Sequence, residues 1–209
     1  MNSIDSIFST QKILPIIQAD TVEQGVHVAK AMQSAGMSVV EVVLRNDTAL
    51  DLAYELKTAL PELTVGIGTV YNVDLLSKAL DTGADFIVTP ATSASLTQAL
   101  IASGKPFLPG VSSLADVVQL LELGITRMKL FPAEVVGGQA MLKAISAVFA
   151  DVKFCPTGGV NAKNFSEYLA LPNVFAAGGT WMVPKKAVLE GNWPSIRSAC
   201  EEALALSNC

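Results

Sequence analysis

Histidine is almost absent from this chain of 209 residues: His27 is the only one. It falls in a helical stretch away from the strand ends and reads as a surface or packing residue. Cysteine is scarce as well, and Cys155, Cys200 and Cys209 stand at no metal-ligand spacing. With neither a histidine cluster nor a cysteine pair, no bound metal is expected. An odd number of thiols behind no secretory signal argues against a disulfide framework. The opening MNSIDSIFST has no basic n-region and carries Asp5, which is not the pattern of a signal peptide.

Charge is thin, at 16% of residues, and 14 Lys+Arg against 19 Asp+Glu leave a net charge of -5. There is no basic patch, so nucleic acid is not an expected partner. A small anion would have to be held by local groups rather than by the field of the whole molecule. The stretch from Phe86 to Gly104 is free of charge. It is broken by Pro90 and rich in Ser and Thr, so it reads as strand, turn and helix rather than as a membrane span. No membrane partner is expected, and a reducing cytoplasm is the expected compartment. The Gly-rich turn of a dinucleotide-binding unit is missing too, since the first strand is followed by Gln18-Ala19-Asp20.

What is abundant is aliphatic surface: 51% of the residues are hydrophobic. That supplies a large core and suits a buried subunit interface. Short apolar runs alternate with longer amphipathic ones. Strands are expected near Ile13–Gln18, Val39–Leu44, Thr64–Thr69, Phe86–Thr89, Pro106–Pro109, Arg127–Phe131, Lys153–Pro156 and Val174–Ala177. Helices are expected near Thr21–Ala35, Asp47–Ala59, Val73–Asp81, Ser93–Ala102, Leu114–Leu123, Gly138–Phe149, Ala162–Leu169 and Pro194–Leu206, with a short one near Lys185–Glu190. Buried-type strands alternating with helices indicate an α/β protein with a parallel sheet. Eight such units suit a small (β/α)8 TIM barrel, and an open doubly wound sheet is the rival. No linker or low-complexity segment divides the chain, so residues 1–209 read as a single domain.

In a barrel of this kind the active site lies at the C-terminal ends of the strands. The second strand carries Glu41, Val43 and Arg45 on one face, because side chains alternate along a strand. A structural Glu–Arg ion pair is the alternative there. The third strand ends Gly66-Ile67-Gly68-Thr69, where glycines admit another group close to the backbone. Of eleven lysines, most sit in helices or loops, but Lys129 lies between apolar neighbours in a buried strand. Taking an amine out of water favours its neutral form, which is nucleophilic toward carbonyls. Pairing with Glu41 would account for Lys129 structurally and is compatible with catalysis. The seventh and eighth strands run into Thr157-Gly158-Gly159 and Gly178-Gly179-Thr180, which match the usual phosphate site of such barrels, with two tight turns as the alternative.

Five segments together resemble a known family: Glu41-Val42-Val43-Leu44-Arg45, Gly66 to Val70, Met128-Lys129-Leu130-Phe131-Pro132-Ala133-Glu134, Cys155 to Gly159, and Gly178-Gly179-Thr180-Trp181. It is the class I family of 2-keto-3-deoxy-6-phosphogluconate (KDPG) and 2-keto-4-hydroxyglutarate (KHG) aldolases, and the likeness runs from about Ile13 to the last helix. The resemblance implies that Lys129 forms a Schiff base with a 2-keto acid and that Glu41 is the general acid/base. It further implies that Arg45 and Thr69 bind the carboxylate, that Pro90, Phe131 and Thr157 line the pocket, and that Gly158, Gly159, Gly179 and Thr180 hold a phosphate. The family commonly has Ser at the position of Thr180. It implies a homotrimer, a small keto-acid substrate and no cofactor. Two rivals keep some of these features: a non-catalytic phosphosugar-binding barrel, and an isomerase or epimerase that uses Glu41 and Lys129 without an imine.

Overall fold

The structure is a computed structural model that describes residues 3–207, so Cys209 lies outside the described residues. Nine strand segments carry the sheet: β1 (Ile13–Ile17), β2 (Val39–Val43), β3 (Thr64–Gly68), β4 (Phe86–Val88), β5 (Phe107–Leu108), β6 (Gly110–Val111), β7 (Arg127–Leu130), β8 (Lys153–Phe154) and β9 (Ala177–Gly179). Among the described residues ten helices flank them: α1 (Ile4–Ile7), α2 (Val22–Ser34), α3 (Ala49–Ala59), α4 (Val73–Asp81), α5 (Ala94–Ser103), α6 (Leu114–Leu121), α7 (Gly138–Val148), α8 (Phe165–Leu169), α9 (Lys185–Leu189) and α10 (Trp193–Leu206).

Local chemistry sets these elements. The β-branched run Val39-Val40-Glu41-Val42-Val43 suits a pleated, buried surface, and every residue of β2 is buried. Thr21, Asn72, Ser93, Ser113 and Asn192 each accept the backbone N–H three residues on, which caps α2, α4, α5, α6 and α10. At Ser113 the cap is reciprocal, because the Asp116 carboxylate accepts the Ser113 N–H at 2.9 Å.

All ladders are parallel. One sheet runs in the order β5-β4-β3-β2-β1-β9 and a second in the order β6-β7-β8. The strand expected at Pro106–Pro109 is in fact two segments, β5 and β6, on either side of Pro109. Proline has no N–H to give the ladder, so the pairing switches partner there: β5 pairs with β4 and β6 with β7. The strand expected at Val174–Ala177 shifts to β9, whose partners are Ile13, Leu14 and Pro15. Val174 keeps one isolated bridge to Phe154, and Thr157 bridges Gly178. The result is a curled parallel sheet with helices on its convex side.

Alternation then sorts the side chains. Val40, Val42, Met128 and Leu130 pack outward against helices. Val39, Phe86, Val88 and Leu108 face inward, where α1 joins them. That short helix was not expected from the sequence. Phe8, just after it, meets Phe86 and Phe175 edge-on at 6.0 and 5.5 Å, and Asp5 pairs with Arg127 at 2.6 Å. These contacts seal the N-terminal ends of the strands and leave the C-terminal ends open. Among the described residues, no helix is long and apolar enough to cross a membrane.

Candidate active site

Glu41 is the middle residue of β2 and Lys129 the third of β7, and the pleat turns both inward. Both are buried, and Lys129 Nζ lies 3.3 Å from Glu41 Oε1. The alternative pairing of Glu41 with Arg45 is not formed. The carboxylate owes its space to a glycine: a Cβ on Gly68 would lie 1.9 Å from Glu41 Oε1. Glu41 Oε2 has no hydrogen-bond partner among the described residues. A buried carboxylate oxygen in that state is costly unless something else serves it, and the open end of the sheet lies above.

Lys129 Nζ also sits 5.2 Å from the centroid of the Phe131 ring, within cation–π range. Cys155, after β8, shares this interior. Burial pushes its thiol up to about 12, against a smaller opposing pull from the Lys129 charge. It therefore stays protonated near neutrality and does not compete as a nucleophile.

Above the ion pair is a cavity of about 240 Å³. All nine residues expected to bind substrate line it. They are Arg45, Thr69, Pro90, Phe131, Thr157, Gly158, Gly159, Gly179 and Thr180, and Lys129 is part of the same lining. Glu41 lies beneath, within reach of the Lys129 amine. Arg45 is exposed, two residues past β2, and its side chain forms no ion pair among the described residues. Thr69 has φ +67°, a left-handed conformation that is an outlier for a β-branched residue. Strain of this kind is concentrated at ligand sites.

The Gly158-Gly159 turn has φ +95° and +88°. Its carbonyls are drawn away from the cavity. The Glu134 N–H donates to Gly158 O at 3.1 Å, and the Asn161 and Asn164 amides donate to Gly159 O at 3.0 and 3.2 Å. The Gly158 and Gly159 N–H groups find no acceptor among the described residues. Free N–H groups on successive residues make an anion-binding nest.

Val43, on the Glu41 face of β2, lines the cavity too, and so do Ile16, Gln18 and Val160, which were not anticipated. Gln18 directly follows β1, so the strand-end rule applied to the other units would have found it. Among the described residues, no three His, Cys, Asp or Glu side chains gather as a metal ion requires.

Residues 4–199 match the family model described as KDPG and KHG aldolase. The 2-dehydro-3-deoxy-phosphogluconate aldolase of Pseudomonas aeruginosa is 40% identical over 201 residues, which is 96% of this chain and 91% of the relative. The KHG/KDPG aldolase of Escherichia coli K12 is 36% identical over 202 residues, 97% of this chain and 95% of the relative. The crystal structure of the Legionella pneumophila KDPG aldolase, with pyruvate captured at low pH as a covalent carbinolamine intermediate, superimposes with a TM-score of 0.92 at 38% identity, over 95% of this chain and 96% of that one.

Proposed function

This chain belongs to the KDPG and KHG aldolase family, and from that premise we propose that it is a class I aldolase that cleaves 4-hydroxy-2-keto acids to pyruvate and an aldehyde through a Schiff base on Lys129. The observation that carries the reading is the buried Lys129–Glu41 pair at 3.3 Å, whose lysine lines the cavity while the glutamate lies beneath it. The substrates are 2-keto-3-deoxy-6-phosphogluconate, which yields glyceraldehyde 3-phosphate, and 4-hydroxy-2-ketoglutarate, which yields glyoxylate.

Cleavage between C3 and C4 leaves an electron pair at C3, and an iminium at C2 is the sink that makes it accessible. The Lys129 amine adds to the C2 carbonyl, giving a carbinolamine. Loss of water then gives the iminium. Glu41 carries the protons: from the lysine nitrogen to the departing water, from the C4 hydroxyl as the C3–C4 bond breaks, and back to C3 of the resulting enamine. Its unpartnered Oε2 is an acceptor for those protons, and a well-placed acid/base contributes roughly 10²–10⁴ in rate. Hydrolysis of the pyruvate imine restores the amine. Arg45, with no ion pair of its own, grips the substrate carboxylate by its planar fork together with the Thr69 hydroxyl. Pro90, Phe131 and Thr157 wall the reacting carbons. The Gly158-Gly159 nest, Gly179 and Thr180 hold the phosphate of the longer substrate. The lysine supplies the electron sink, so the chemistry calls for no cofactor.

The sheet is a closed (β/α)8 barrel in a single domain, supported by the Thr157–Gly178 bridge and by the continuity of β5 and β6 through Pro109. A homotrimer in the cytoplasm suits an apolar chain that exposes Tyr71, Val73, Leu114 and Val118. The direct test is pyruvate release from each keto acid, followed by coupling to lactate dehydrogenase. Release from at least one, lost in Lys129→Ala, is expected; no release from either would overturn the assignment.

A further inference from the structure

One carboxylate next to the anion nest has no part in the mechanism above. Glu134 follows the cis Phe131-Pro132 peptide and Ala133, at the end of the segment that leaves β7. Two backbone bonds tie this segment to the loop after β8: Ala133 N–H to Thr157 O at 2.8 Å and Glu134 N–H to Gly158 O at 3.1 Å. The Glu134 side chain then runs across Gly159, whose missing Cβ would lie 2.3 Å from Glu134 Cγ. Its carboxylate ends against Tyr168, whose hydroxyl donates to Oε1. Gly138 leaves room on the other side, since a Cβ there would be 2.8 Å from the Tyr168 hydroxyl and 3.1 Å from Glu134 Oε1. Tyr168 lies on α8, the helix that follows the nest, and is wholly buried. Burial, and then the Glu134 carboxylate, hold its phenol well above the usual range, so it remains a donor.

Glu134 is exposed and does not line the cavity, so its charge alone needs no special account; what packing does not explain is why its stem lies across Gly159 and its carboxylate is turned back onto a buried tyrosine. We infer that Glu134 is a positioning residue: clamped by Tyr168, it pins the Gly158-Gly159 turn so that both N–H groups face the phosphate. The inference rests on the phosphate-binding reading of that turn. It separates the two substrate types, because 4-hydroxy-2-ketoglutarate has no phosphate for the nest to hold.

The test measures kcat and KM for both keto acids in the wild type, Glu134→Ala, Glu134→Gln and Tyr168→Phe proteins, with pyruvate–borohydride adduct formation as a control. The expected result is a rise in KM for the phosphorylated substrate of about tenfold in Glu134→Ala, an order of magnitude below the cost of a 1 Å misplacement. KM for 4-hydroxy-2-ketoglutarate and the rate of adduct formation should stay near wild type. Glu134→Gln keeps an oxygen acceptor for Tyr168 and should recover most of the affinity, whereas Tyr168→Phe should follow Glu134→Ala in direction. Three outcomes overturn the inference: equal losses on both substrates, which make the clamp merely structural; tighter binding of the phosphorylated substrate in both Glu134 variants, which makes the charge a plain repulsion; or no change. A wild type that forms no adduct and cleaves neither substrate would instead remove the aldolase reading itself.

Discussion

A lysine and a glutamate buried together at 3.3 Å constrain each other energetically before any substrate arrives. Removing one partner of such a pair strands the other and costs about 3–5 kcal/mol, whereas replacing both is often neutral. Lys129→Ala should therefore lower stability as well as abolish turnover, and adding Glu41→Gln to it should regain part of the loss. Urea denaturation of the two single variants and the double variant measures this; strictly additive effects would mean that the pair is not coupled. Gly68 gives a second test at this scale. A methyl group there would overlap Glu41 Oε1, so Gly68→Ala should cut kcat strongly by displacing the carboxylate while the protein stays folded. An unchanged kcat would separate Glu41 from the proton path.

At the scale of elements, much of the architecture was legible because caps and alternation are local signals. The amphipathic run after Thr21 is one such signal, and α2 forms there with Thr21 as its cap. Lys129 stood out because its neighbours Met128 and Leu130 are apolar, and both face the helices while it faces inward. What was not legible depends on pairing between distant segments. Pro109 marks a break in the ladder, but the sequence does not say which strands its two sides then pair with, and the place of β9 is set by its register with β1. The helix α1 was missed because four residues are too few to show a period; a Ser3–Ser6 capping box starts it, and contacts of Phe8 and Asp5 fix its place. The nest was visible as a Gly-Gly pair, but the clamp on it was not, since Glu134 and Tyr168 are far apart in sequence. Capping offers the quantitative check here. Ser113→Ala removes one half of the reciprocal cap on α6 and should cost about 1 kcal/mol, read from the urea midpoint. A change within error would mean that packing alone holds α6.

The whole molecule adds a pH dependence. Cys155 and Cys200 are both buried, and burial pushes each thiol from an ordinary value near 9 up to about 12. Below pH 9 both the folded and unfolded chains hold these protons, and the contribution to stability is fully present. Between pH 9 and 12 the unfolded chain gives them up while the folded one keeps them, so stability falls as pH rises. The denaturation midpoint should be level up to about pH 8.5 and decline above it, with a shallower decline in a Cys155→Ala/Cys200→Ala protein. The same decline in that variant would assign the effect to other groups.

The covalent step is the claim on which the rest depends, and intact mass spectrometry after incubation with pyruvate and sodium borohydride tests it most directly. The expected result is a mass gain of one reduced pyruvate imine per chain, mapped to Lys129 and absent from Lys129→Ala. A folded protein that gains no mass, or an adduct on another lysine with Lys129 unmodified, would contradict it.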